Sequence, residues 1–342
     1  MPGTDARLVL GIETSCDETA AAIVRDGRAI CSNVVASQEE MHAQFGGIVP
    51  EVASRRHAEL ITAVVEQALV QADVDWDDLG LIAVTRGPGL VGSLLVGVSA
   101  AKGYALARGL PLVGVNHIAG HITSSFLLGA DDHEPAPLEF PALALIASGG
   151  HSDLALVEEL GAYRLVGFTR DDAAGEALDK AARLLGLGYP GGPAIERAAR
   201  EGDPSTVNLP RPDTKKGFEF SFAGLKTALV RLVEEQPDLP VADLAAGFQQ
   251  AVVDCLVREA IEAAAHFRVR QIVVAGGVAA NRTLRGAMTG AAQQAGLTAY
   301  FPPMFLCTDN AAMVAAAGYH EYSRRGPDEL SMEVDSALQL PS

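Results

Sequence analysis

The sequence predicts an α/β protein made of a duplicated unit. Each half of the chain opens with a strand, a tight turn and further strand-like runs, then alternates helical with strand-like periods, and glycine-rich turns fall where several of those runs end. The 342 residues suffice for about two domains, and a chain of that size buries about three-quarters of its unfolded surface without needing disulfides. A composition of 49% hydrophobic and 20% charged residues excludes a disordered chain.

In the first half, residues 8–12 and 19–24 are apolar runs. The second closes on Asp26-Gly27, a hairpin signal, before the run 29–35. Helical period follows over 50–72, a strand over 81–85, a helix over 92–108 and a strand over 112–115. In the second half, 142–147, 153–157 and 164–168 read as another meander broken by a Ser-Gly-Gly-His turn. Helical patterns cover 175–187, 222–235 and 241–267, then a strand 271–275, a helix near 281–295, a strand-like 299–301 and a last helix from Asp309. Such a duplication places a ligand between the halves. The proline- and acid-rich stretch 131–141 is the expected junction, and 208–217, rich in Pro, Arg and Lys, is a loop suited to a partner.

Lys and Arg number 26 against 43 Asp and Glu, a net charge of −17, so overall charge disfavours nucleic acid and acidic membranes and leaves only local basic patches. The clusters available are Arg55-Arg56, Arg211 with Lys215-Lys216, and Arg282 with Arg285. Four scattered cysteines without a Cys-x-x-Cys pair indicate neither a zinc knuckle nor a disulfide framework. Residues 1–15 lack a basic then apolar leader, and the most apolar stretch, 89–101, is too short and glycine-rich to span a bilayer. The cytoplasm is the expected compartment.

Three groups of residues carry chemistry. In Asn116-His117-Ile118-Ala119-Gly120-His121, Asn116 suits an N-cap and the histidines fall at i and i+4 on one helix face. They can share a metal with a third ligand from elsewhere, or be two ordinary polar histidines. Ile118 stands where a His-Glu-x-x-His protease needs its Glu, which disfavours that mechanism. The glycine turns Gly87-Pro88-Gly89 with Gly92, Ser148-Gly149-Gly150-His151, Gly191-Gly192 and Gly276-Gly277 can each be a tight turn, but together they suit a nucleotide cleft. None continues into Gly-Lys-Ser/Thr, so none is a P-loop. Acidic residues crowd the helix start at Asp171-Asp172 and Glu176, where they complement the dipole, while Asp179 lies too far inside the helix for that role and suits a hydroxyl partner. Asp309, at the start of the last helix, is either an N-cap or a third ligand for the histidine pair.

Ten ordered segments between about Leu8 and Gly326 carry a resemblance. They begin with Gly11-Ile12-Glu13-Thr14-Ser15-Cys16-Asp17-Glu18-Thr19 and residues 46–55, and continue through 87–92, the His117/His121 pair, 148–151, 171–180, 189–193, 221–227, 276–281 and 307–310. Together they resemble the tRNA N6-adenosine threonylcarbamoyltransferase (TsaD-type) family. The resemblance implies a duplicated actin/sugar-kinase/Hsp70-like (ASKHA) two-lobe α/β fold. It implies transfer of a threonylcarbamoyl group from threonylcarbamoyl-AMP to the exocyclic amine of the adenosine 3′ of the anticodon in tRNAs reading ANN codons.

By that similarity His117, His121 and Asp309 hold a divalent metal, iron first, with zinc or magnesium as alternatives. Ile146, Ala147, Ser148, Gly149 and Gly150, with Asp179, Gly192, Glu196 and Asn281, bind the adenylate. Archaeal and eukaryotic members carry a Tyr metal ligand where this chain has Ile146, which indicates the bacterial branch. The partners are then a degenerate paralogue and a P-loop ATPase, with a separate enzyme making the adenylate. The expected lobes are 1–130, joined by the helix 309–326, and 131–308, with a tail at 327–342. The donor is already an activated anhydride, so no nucleophilic Ser or Cys is required. Glu13 is the one candidate general base, or it orders water around the metal. The competing readings are a small-molecule kinase or carbamoyltransferase on the same fold, and a chaperone-like ATPase for which no peptide-binding domain follows Gly326.

Overall fold

A computed structural model describes residues 7–129, 138–211 and 217–340. Most of the expected junction at 131–141, together with Lys215 and Lys216, lies outside the described residues. Strands β1 (Leu8–Glu13), β2 (Glu18–Arg25) and β3 (Ala29–Ser37) lead into helices α1 (Glu39–Ala43) and α2 (Pro50–Ala72). Then come β4 (Leu79–Gly87), α3 (Val91–Arg108), β5 (Leu112–Asn116) and α4 (His117–Ser124). The sheet order is β3-β2-β1-β4-β5, antiparallel through the meander and parallel from β1 to β5.

The second half follows the same plan. Strands β6 (Ala142–Ala147), β7 (Ser152–Glu159) and β8 (Ala162–Gly167) precede helices α5 (Ala174–Leu184), α6 (Gly191–Ala199), α7 (Ala223–Glu235) and α8 (Val241–Phe267). Then come β9 (Gln271–Ala275), α9 (Arg282–Gln294) and β10 (Thr298–Tyr300), and the last helix is α10 (Ala311–Arg325). Its sheet, read β8-β7-β6-β9-β10, repeats the first strand for strand, and β6-β9-β10 are parallel. The duplication expected from the sequence is therefore present in the strand order.

Local chemistry explains these elements. Asp26 and Gly27 take φ of +53° and +66°, a left-handed pair that lets Arg28 N close back on the Arg25 carbonyl at 3.0 Å in the turn between β2 and β3. Leu10, Ile12, Ile82 and Val84 are buried with Ile61, Val65 and Val98 of α2 and α3, as parallel central strands covered on both faces demand. On the opposite face α10 meets β1 so closely that a Cβ at Gly11 would lie 2.2 Å from the Ala311 carbonyl oxygen. The Ala- and Gly-rich face of α10 permits that approach. A separate core joins Leu143, Leu145, Leu154, Phe220, Phe222 and Phe248 under β6 and α8.

Three expectations are corrected. Residues 191–192 are not an open turn but the first residues of α6; a helix's first turn tolerates Gly-Gly-Pro because its amides have no intrahelical partners. The last helix starts at Ala311 rather than Asp309, because Asn310 is its N-cap, taking the Met313 amide at 3.0 Å. Strand β8 stops at Gly167, where a Cβ would strike the Phe218 carbonyl.

The chain divides into two compact units: the described parts of Met1–Pro137 and Thr308–Pro341 with Leu160–Ala162, and Leu138–Glu159 with Tyr163–Cys307. Beyond α10 the chain runs along the ends of β4 and β5. There Asp328 accepts the Gly114 amide at 2.7 Å, and Asn116 Nδ2 donates to the Leu338 carbonyl at 3.3 Å. No helix among the described residues is long and apolar enough to cross a membrane.

Candidate functional site

The histidine pair is assembled by two caps. Asn116 ends β5, and its Oδ1 accepts the Ile118 and Ala119 amides at 2.8 and 3.4 Å, starting α4 so that His117 and His121 share a face. Their rings lie 4.6 Å apart, nearly perpendicular. Because Asn310 caps α10, Asp309 is released from the capping role the sequence left open. Its Oδ1 lies 3.5 Å from His117 Nε2 and 3.2 Å from His121 Nε2. One ligand atom from each of the three falls within 4.8 Å of the others.

The donor set fits a cation. His121 is wholly buried, and neither ring nitrogen has a hydrogen-bond partner. Its 3.2 Å approach to Asp309 is close enough for an ion pair yet not aligned as an N–H···O bond. Buried orphan nitrogens are costly, and a cation shared with the facing carboxylate satisfies Nε2, the one that lies toward Asp309. Glu18 adds to the argument: burial first, then the Asp309 and Asp17 charges, push its carboxyl up to about 10. A positive charge beside Asp309 offsets that repulsion.

Glu13 is fully buried at the end of β1, and both of its oxygens are engaged. Oε1 accepts the Ser15 amide at 2.5 Å; Oε2 accepts the Thr85 hydroxyl at 2.7 Å and lies 3.0 Å from His117 Nδ1. Ser15 Oγ is 3.2 Å from the same nitrogen. Burial raises the Glu13 pKa, but the adjacent His117 outweighs it and holds the carboxyl below its usual range. Burial opposes the charged form of His117, yet Asp309 and Glu13 lift it to about 9. Cys16, in the same turn, has its thiol pushed well up by burial and remains protonated, so it offers no nucleophile.

In the other unit the glycine turns differ from one another. Ser148 N donates to the His151 carbonyl at 2.9 Å and His151 N to Ser148 Oγ at 3.2 Å, closing a turn that leaves Gly149 and Gly150 exposed with open space above them. A Cβ at Gly175 would meet the Ser148 carbonyl at 2.6 Å, so the start of α5 abuts this turn. Gly276, at φ +89°, abuts Ala147 from the end of β9. The turn at 87–89 is different: a Cβ at Gly87 would lie 1.8 Å from the Asp335 carbonyl, and one at Gly89 2.6 Å from that of Ser15. The chain itself fills that turn, which makes it a packing turn rather than a phosphate cradle.

The remaining candidates have structural partners. Ile146 and Ala147 are fully buried in the sheet, which leaves only their backbone toward the turn. Asp179 Oδ1 accepts the Gly191 amide at 2.7 Å, and the Gly192 amide also donates to the carboxylate, so it caps α6; burial raises its pKa and these amides oppose the rise. The expectation that Asp179 has no capping role is thereby corrected: it caps a helix other than its own. Glu196 accepts the Arg282 amide at 3.2 Å. Asn281 caps α9 through Leu284 N at 3.0 Å and gives Nδ2 to Gln249 Oε1 at 2.8 Å. Asp171 does not complement its own helix but caps α7, taking Phe222 N at 2.7 Å and Ala223 N at 3.2 Å.

Among the basic clusters, Arg55 and Arg56 pair with Glu51 and Glu59 on the face of α2. Arg211 pairs with Asp254 at 2.9 Å, and Arg285 donates to the Ala279 and Pro302 carbonyls while stacking on Phe301. Arg285 is a brace and not a phosphate contact; Arg282 is exposed. Sequence reasoning missed Thr85, Ser15, Gln249 and His57. Thr85 and Gln249 were signalled as polar residues beside apolar runs, whereas Ser15 in a turn and His57 among Ser54, Arg55, Arg56 and Glu59 carried no such signal.

A duplicated sheet of this order is the actin/sugar-kinase/Hsp70-like fold. Solved structures agree: HypF of T. kodakarensis superimposes with a TM-score of 0.64 at 16% identity, over 95% of this chain and 49% of that one. Component A of the Acidaminococcus fermentans (R)-2-hydroxyglutaryl-CoA dehydratase gives 0.54 at 16%, over 93% and 99%. The family model for tRNA N6-adenosine threonylcarbamoyltransferase matches residues 29–316. Proteins of that description from Symbiobacterium thermophilum and Geobacillus thermodenitrificans are 53% and 52% identical, covering 99% and 97% of this chain and 99% and 96% of their own. The chain belongs to the tRNA N6-adenosine threonylcarbamoyltransferase family, and its activity is transfer of threonylcarbamoyl to N6 of an adenosine in tRNA.

Proposed function

We propose that this chain takes the threonylcarbamoyl group from threonylcarbamoyl-AMP to the adenosine 3′ of the anticodon in tRNAs reading ANN codons, with a divalent metal held by His117, His121 and Asp309. The observation that carries the metal reading is His121, buried with two unpaired nitrogens against a carboxylate. A nitrogen-rich set with one carboxylate suits iron first, then zinc, and magnesium least. When bound, the metal supplies Lewis acidity toward an anhydride or phosphate oxygen. Glu13 acts through His117, fixing its ring, rather than as a base on substrate; its complete burial and engaged oxygens support that role.

The exposed amides of Gly149 and Gly150 bind the donor phosphate, with Ser148 and the backbone of Ile146 and Ala147 shaping the turn. Asp179, Gly192, Glu196 and Asn281 surround the adenosine. Because Asp179, Glu196 and Asn281 already hold helix starts, they recognise the nucleoside from positions fixed by capping. In the reaction the N6 nitrogen bonds to the carbamoyl carbon as the bond from that carbon to the phosphate oxygen breaks; AMP departs, and the proton lost from N6 goes to its phosphate or to water. The domain division 1–130 with 309–326, 131–308 and a tail at 327–342 belongs to the same reading, supported by the two compact units.

A degenerate paralogue and a P-loop ATPase complete the system in the cytoplasm. A charge of −17 supports that need, since the chain alone repels tRNA. A small-molecule kinase or carbamoyltransferase is the second reading and rests on the fold alone. Mass analysis of tRNA nucleosides after depletion of this protein separates the two. Loss of N6-threonylcarbamoyladenosine is expected, and an unchanged level would defeat the proposal.

A further inference from the structure

His57 lies two turns into α2 and is wholly buried, and the transfer chemistry above gives it no task. Its Nε2 is 3.0 Å from the Cys16 carbonyl oxygen. Its Nδ1 is 2.8 Å from Thr19 Oγ1 and 3.3 Å from Gln38 Nε2. A carbonyl only accepts, so Nε2 carries the proton. The Gln38 amide nitrogen only donates, and its second contact, to the Ala53 carbonyl at 3.4 Å, fixes which way that amide faces. Nδ1 is therefore the acceptor, and both sides of the ring demand the same neutral tautomer. Burial depresses the pKa of His57, which favours that neutral form.

The turn that His57 grips is the one between β1 and β2. Gln38 N also donates to the Asp17 carbonyl at 3.1 Å, and on the other side Leu90 N donates to the Ser15 carbonyl at 2.8 Å. Ser15 and, two residues before it at the end of β1, Glu13 are the two groups that face His117 Nδ1. We infer that His57 is a positioning residue of the metal centre: through the Cys16 carbonyl it fixes the β1–β2 turn, and Ser15 in that turn, with Glu13 at the strand end that leads into it, fixes the ring of His117. The inference deepens the reading of His117, His121 and Asp309 as metal ligands and rests on it.

Partners that orient a ligating histidine change metal affinity or activity by about 10- to 100-fold when removed. His57 stands one link further out, so the lower end applies. His57→Gln keeps an N–H donor near the position of Nε2, whereas His57→Leu removes it. The Leu variant is expected to lose about 10-fold in Co2+ affinity and in kcat of the complete transfer system, with KM for the donor unchanged, and the Gln variant to recover most of both. Nitrogen-15 NMR of the full chain is expected to show His57 as the Nε2–H tautomer, with the His117 ring signals displaced in the Leu variant and restored in the Gln variant.

A lowered Tm in the Leu variant with Co2+ affinity, kcat and His117 signals unchanged would make His57 merely structural and overturn the inference. If the Leu variant does not fold, the wild-type spectrum and His57→Asn decide: an Nδ1–H tautomer in wild type, or unchanged His117 signals and Co2+ affinity in the Asn variant, whose shorter side chain withdraws the donor from the Cys16 carbonyl, overturns the inference, and displaced His117 signals uphold it. A wild-type chain that takes up no Co2+ sinks the metal reading instead, and His57 is then judged on its tautomer and on the His117 signals.

Discussion

Asp153 shows how burial becomes a pH dependence. It sits in β7, and burial lifts its carboxyl from 3.8 to about 6 against the opposing Thr169 amide. The folded state therefore binds that proton more tightly than the unfolded chain does. Its stabilising effect is present at low pH and is lost as pH rises from about 4 to about 6. Asp153→Asn, which keeps an acceptor for the Thr169 amide, is expected to raise Tm above pH 6 and leave it unchanged near pH 4. Thermal melts across that range check it, and a variant with the same pH profile as the wild type would show that the carboxyl is not perturbed.

At the same scale the sequence was partly legible. The i, i+4 spacing of His117 and His121 and the cap at Asn116 could be read from residue types and intervals. That Asp309 joins them could not, because Asp309 and Asn310 are both good caps and only the folded helix start shows that Asn310 takes the role. Glu13 could be read as a candidate base or as an acid ordering water around the metal; its contacts with Thr85 and His117, which are distant in sequence, could not.

At the scale of elements, helix starts in the second unit are held by carboxylates from elsewhere in the chain. Asp171 caps α7 and Asp179 caps α6. Loss of such a cap costs about 1 kcal/mol, up to about 2. Asp171→Ala is expected to lower stability by that amount in denaturant melts without changing donor affinity. Asp179→Ala is expected to lose both stability and donor affinity, because the helix start it holds carries Gly192. Calorimetry with the adenylate separates the two variants, and unchanged affinity in Asp179→Ala would confine that residue to capping. Most strands and the longest helices were legible from period and turn chemistry, α2 and α8 to the residue. Helix α6 was not, since Gly-Gly-Pro reads as a break until the distant cap is known.

For the whole molecule, duplication was visible in the sequence as a repeated meander, and the sheets confirm it strand for strand. The RNA surface was not legible, because three of the candidate arginines, Arg55, Arg56 and Arg211, turn out to have carboxylate partners within the chain. The chain alone is expected to be a poor catalyst on tRNA. Lys215→Glu with Lys216→Glu is expected to weaken tRNA binding evenly across sequences and flatten its salt dependence, leaving donor binding untouched. Filter binding over a salt series reads this out, and full-rate modification by the lone chain would contradict it.

His121 is the sharpest probe of the proposed metal centre at His117, His121 and Asp309, on which transfer is expected to depend. His121→Leu keeps apolar bulk while deleting two buried, unpaired nitrogens. The metal-stripped variant is therefore expected to melt no lower than metal-stripped wild type. The deciding measurement is metal content by elemental analysis, taken beside threonylcarbamoyl transfer in the complete system, for wild type and His121→Leu. About one metal ion per wild-type chain, with both metal and transfer lost in the variant by about 100-fold or more, is the predicted result. Equal metal content and equal transfer in the two proteins would contradict it.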